Sequence, residues 1–230
     1  MQTVAVTMAS RPLLRVGKYH LAALGQNETT KGLALAFRPT VDALAAAKAT
    51  REQAEDDLIG PRASARFAES ALEAVLREIA ATAHNHDHKE GGDLVFRSIF
   101  PNGLDAEIRP RGAAQLSSST ALRERLNSQR PAAAVKAQVL KDLDAALATL
   151  SAALEARRLA EQALGIARAA EDGARETFVS SYDSNAGAIR QMFPRNRPRQ
   201  DLYFDQFRTG QSATDDPDPE PPPTPDPTKT

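Results

Sequence analysis

Three histidines and an aspartate fall within five residues, at His84-Asn85-His86-Asp87-His88. Imidazole nitrogens and a carboxylate are donors for divalent metals, so the candidate metal ligands are His84, His86 and His88. The spacing decides what they can do. On extended backbone, alternate residues share a face and all three rings converge; on a helix His84 and His88 share a face and His86 does not. Gly91-Gly92 follows, which marks the run as a mobile polar loop. Such a loop binds metal weakly. The polar loop is the preferred reading, and a divalent metal at the loop is the alternative.

The run resembles the His-x-His-x-Asp-His signature of metallo-β-lactamases. It is one residue short between the second His and the Asp, and no His follows His88, so that family's site is not formed. A di-iron bundle needs Glu-x-x-His on two helices, and neither half of the chain has one. GxGxxG, Walker A, GxSxG and HExxH motifs are missing too. With no cysteine, disulfides, thiolate metal sites and cysteine nucleophiles are excluded together. The expectation is a protein that is not an enzyme and carries no resident cofactor.

Any such residues must be positioned by helices. Val139–Leu164 sets the pattern: Leu140, Leu143, Leu147, Leu150, Leu154 and Leu164 recur at helical spacing, without an intervening Gly or Pro. A weaker copy lies earlier. At a shift of 106 residues, Leu44 matches Leu150, Arg51 matches Arg157, Glu55 matches Glu161 and Leu58 matches Leu164. This points to an internal duplication. Arg51, Glu55, Arg157 and Glu161 continue the apolar stripe where leucine is expected. They form either a polar layer within the core or, as preferred, solvated pairs one turn apart.

Gly60-Pro61 and Gly165 then read as turns, each closing a helical hairpin. The expected fold is all-α: an antiparallel four-helix bundle of two similar hairpins with a long crossover. Pro39 and Pro131 are sites of kinks or of helix first turns. Residues 1–28 read as an arm packed on the bundle, of short strands or irregular segments. The bundle occupies 29–208, with hairpin one at 29–101, the crossover at 102–118 and hairpin two at 119–208. Residues 209–230, rich in Pro and Asp, read as a disordered tail.

Composition bounds the function. Net charge is −1 over 230 residues, which leaves no surplus cation to neutralise phosphates, so no nucleic-acid partner is expected. The Arg-Asn-Arg-Pro-Arg run at 195–199 is short and followed by Asp201 and Asp205. No stretch is long and apolar enough for a membrane span or a signal peptide, so a cytoplasmic location is expected. The preference for Arg over Lys fits a GC-rich bacterial genome. The functional expectation is a scaffold or protein–protein interaction protein, working through a homo-oligomer or a partner helix, with metal binding at His84–His88 as the alternative.

Overall fold

A computed structural model describes residues 4–92 and 94–205, and the expected tail at 209–230 lies outside these described residues. Among them the chain forms eight helices and no strand. These are α1 Ser10–Gly25, α2 Lys31–Asp57, α3 Ile59–Glu90, α4 Leu94–Ile99, α5 Leu104–Ile108, α6 Ala113–Ser128, α7 Ala133–Met192 and α8 Arg197–Asp201. The all-α class is as the periodicity indicates. No helix among the described residues is long and apolar enough to cross a membrane.

Neither expected hairpin turn forms. At the first, Pro61 has no amide hydrogen to offer the carbonyl of Asp57, so the helical ladder lapses for one residue. That residue, Leu58, keeps helical angles (φ −76°, ψ −20°), and its carbonyl accepts from the Arg62 N–H at 3.1 Å. A single helical residue cannot reverse a chain, because a helical hairpin needs a loop of two to five residues. At the second, α7 runs through Gly165 unbroken for 60 residues. Glycine in a helix costs roughly 1 kcal/mol, which the buried Leu164 and Ala167 beside it outweigh.

The two prolines behave differently. Pro39 lies inside α2, whereas Pro131 kinks nothing and sits in the turn that precedes α7. The expected crossover contains α5 and the start of α6.

The chain divides into two compact units, residues 42–176 and the remainder. The core of the 42–176 unit is built on α7, where Val135, Val139, Leu143, Leu147 and Leu150 are buried at steps of three and four. Leu72, Leu76 and Ile79 of α3, Leu122 and Leu126 of α6, and Ile99 and Phe100 join them in one cluster. Each fully buried leucine or isoleucine contributes on the order of 1.5–3 kcal/mol. In the same unit two ion pairs link α2 to α7: Arg51 to Glu171 and Glu55 to Arg168. As the number rises in one helix it falls in the other, so the two run antiparallel.

The other unit, residues 1–41 and 177–230, is assembled from α1, the start of α2, the end of α7 and α8. Within the expected 1–28 arm, Ser10–Gly25 form α1 rather than strands or irregular segments. Leu13, Val16, Gly17, His20 and Leu24 are its buried face, a helical period that its Val, Tyr and Gly residues disguise. Gly17 is required there by contact. A Cβ on it would lie 2.6 Å from Phe178 Cε2 and 3.1 Å from Val41 Cγ2, and Phe178 is itself fully buried.

Gly17→Ala should therefore cost about 1–3 kcal/mol in urea unfolding, the usual penalty for overpacking. Gly25→Ala, where nothing lies within 4 Å, is the control and should cost nothing. Equal midpoints for the two variants would show that the α1 contact has no such constraint.

Candidate functional site

The histidine cluster is helical, not a loop. α3 continues through it and ends at Gly91, whose left-handed φ of 71° suits a glycine helix stop. The helical period takes His86 off the face that His84 and His88 share. His84 stacks on Phe96 with ring centroids 3.9 Å apart, His86 is half-buried and His88 is exposed. Among the described residues no three His, Asp or Glu side chains stand close enough together to hold a metal. Asp87, buried, turns away and caps α4. Its Oδ1 accepts from the Val95 N–H at 2.9 Å and its Oδ2 from the Phe96 N–H at 2.8 Å. A carboxylate there satisfies amides that have no helical partner and faces the positive end of the helix dipole.

The four matched charged residues are not brought together as one layer. Arg51 donates from Nη1 to Glu55 Oε2 and from Nε to Glu171 Oε2, both at 2.5 Å, and Arg168 Nη2 donates to Glu55 Oε1 at 3.2 Å. Hydrogen bonds from Arg51 and then Arg168 hold the Glu55 carboxyl below its usual range. Glu171 is buried, so this is a polar layer between α2 and α7 in the 42–176 unit. Arg157 and Glu161 are separate: they bond to each other at 2.8 Å, both exposed, as an ordinary pair one turn apart.

Two buried polar anchors carry no sequence signal. In the 42–176 unit Glu107 of α5 accepts from Ser118 and Arg125 of α6, and Arg125 Nε also donates to the Ile99 carbonyl at 2.8 Å. In the other unit His20 is fully buried among Phe37, Tyr182 and Phe204, with ring centroids 5.4, 4.9 and 5.1 Å away. Its Nδ1 lies 2.7 Å from the Tyr203 carbonyl, which only accepts, so Nδ1 carries the proton. Nε2 is then free to accept from Asn185 Nδ2 at 3.3 Å. Both nitrogens are engaged by a neutral ring, which fastens residues 202–204 to α1. A lone histidine in this segment gives no hint of this in the sequence.

Comparison with known proteins gives no match: no family model fits the chain, and neither a curated protein nor a solved structure is significantly similar. The reading therefore rests on the geometry.

Two predictions follow from these groups. Burial lowers the His20 pKa below its ordinary 6.5, against the opposing hydrogen bond to Tyr203. Below pH 6.5 the unfolded chain takes up a proton that the folded chain refuses, so stability falls with falling pH, by up to about 1.4 kcal/mol per unit. Urea midpoints at pH 7.5 and 5.5 should drop more for the wild type than for His20→Gln; an equal drop would refute the assignment. For the histidine cluster, calorimetric titration with zinc should give weak, equal binding to the wild type and to the triple variant His84→Ala, His86→Ala, His88→Ala. Tight binding lost only in the variant would restore the metal site.

Proposed function

We propose that the chain is a non-enzymatic helical scaffold that docks another helix, from a second copy or a partner protein, on the exposed back of α7. One observation carries this reading. Ala152, Ala156, Leu159, Ala163, Ile166 and Ala170 are all exposed and recur at alternating steps of four and three. That is a heptad seam, the pattern by which helices pair. The positions α7 turns inward are a different set, among them Leu150, Leu164, Ala167 and Glu171. Leu159 and Ile166, 51% and 65% exposed, supply apolar area, while the alanines let a partner backbone come close. Ile59 and Phe67 of α3, in the same unit, are exposed large apolar residues as well.

The duplication belongs to the same reading, in altered form. The repeated segments, 44–63 and 150–169, are arms of antiparallel helices rather than whole hairpins. The pairs Arg51–Glu171 and Glu55–Arg168 set a register that brings Leu58 level with Leu164 one turn on. These two leucines match each other in the sequence repeat, and both are buried. Matched residues placed level across two antiparallel helices are what a pseudo-two-fold helix pair requires.

Size-exclusion chromatography with light scattering, on the full chain over a range of concentrations, tests the docking face. The wild type should self-associate or retain a helical partner. Leu159→Glu with Ile166→Glu should abolish this while leaving unfolding stability within about 0.5 kcal/mol, as for exposed positions generally. A wild type that is monomeric throughout and binds no more than the double variant would sink the proposal.

A further inference from the structure

We propose that the groove between α1 and α8 is the seat of the chain's own proline-rich segment, residues 215–227, which docks there in cis. The groove, of about 470 Å³, is floored by Ala22, Ala23 and Tyr203 and rimmed by Tyr19, Leu202 and Arg199. Tyr19 and Leu202 are 42% and 68% exposed, large apolar side chains left open to solvent. Their positions are fixed: the Tyr19 hydroxyl donates to the Leu202 carbonyl at 3.2 Å, and His20 holds the next residue, Tyr203. Through Tyr19 and Leu202 the groove joins a second hollow, which adds Arg197, Pro198 and Asp205.

The occupant follows from where the chain goes and what it is made of. Asp205, the last described residue, lines the second hollow, which shares Tyr19 and Leu202 with the groove. Nine residues, 206–214, then reach roughly 30 Å if extended, ample to turn back across it. Residues 215–227 read Asp-Asp-Pro-Asp-Pro-Glu-Pro-Pro-Pro-Thr-Pro-Asp-Pro: seven prolines, five acids and no base. Proline-dense sequence favours the polyproline II helix, and grooves lined by aromatic side chains are what such helices dock into. Because proline is already restricted, little ordering entropy opposes docking, and tethering supplies a high effective concentration.

Charge agrees. Arg195, Arg197 and Arg199 engage no carboxylate among the described residues; Arg199 lies over the Phe193 ring at 4.3 Å from its centroid. Arg197 shares the second hollow with Asp201 and Asp205, whereas the groove itself holds Arg199 and no acid, so the segment's acids are drawn to Arg199. This attraction is screened by salt.

The chain has no cysteine, so Thr224→Cys provides one attachment point for a nitroxide on the full-length protein. In ¹⁵N spectra the label should erase amide signals of Tyr19, Ala22, Ala23 and Leu202, which line the groove. Neutralising the segment with Asp215→Asn, Asp216→Asn, Asp218→Asn and Glu220→Gln should restore them, as should molar salt; these changes leave the folded residues untouched. A mixture of labelled ¹⁴N and unlabelled ¹⁵N protein should show no loss. Retained groove signals in the labelled full chain would overturn the proposal. So would loss that survives neutralisation, or loss in the mixture, which would make the occupant the segment of a second copy.

Discussion

The inward face of α7 is the constraint on which the 42–176 unit depends. From Val135 to Leu150 one stripe of aliphatic side chains is buried, and α3, α4 and α6 each turn their own apolar residues to the same cluster. The short helices need that surface. Six and five residues, as in α4 and α5, are too few to hold a helix in water without tertiary packing. Further along α7 the seam changes character, and Arg51, Glu55, Arg168 and Glu171 take over from leucine. Charges in such a layer add little net stability, but they penalise a shift in register, which would leave Glu171 without its partner Arg51.

The ionisable residues that look chemically interesting are used to hold backbone. Asp87 sits in the middle of the histidine run, yet its two oxygens are occupied by the first amides of α4. Glu107 joins α5 to α6, and His20 presents a neutral ring to a carbonyl and an amide. In each case a buried polar group meets its full set of partners, which is the condition for burying it at all. His20 has a further consequence for its own unit. By fastening residues 202–204 it leaves Leu202 facing outward and shapes the groove beside α1.

Helix content was largely legible in the sequence. The 3.6-residue period of α2, α3 and α7 is strong, and Leu143, Leu147, Leu150 and Leu164 are buried, as the stripe indicates. The same period was present in Leu13, Val16, His20 and Leu24, but Gly17 and the β-formers Val and Tyr obscured it. Turns were not legible. Gly165 carries the local mark of a helix end, and nothing local reveals that packing on both sides carries the helix across it. Gly60-Pro61 likewise breaks one hydrogen bond without reversing the chain.

By itself the sequence determined the class of structure: helices, their faces, and a chain without cysteine chemistry or an excess of charge. It did so because amphipathic period and composition are local or additive properties. Only the tertiary structure decided which helix ends are real, which carboxylates are caps, and which of two matched Arg–Glu pairs is tied to a second helix. Arg51–Glu55 and Arg157–Glu161 have identical spacing and different partners, since Arg51 also meets Glu171 of α7 while Arg157 pairs with Glu161 one turn along its own helix. Burial depends on what the rest of the chain places opposite a residue, and spacing along one helix does not encode that.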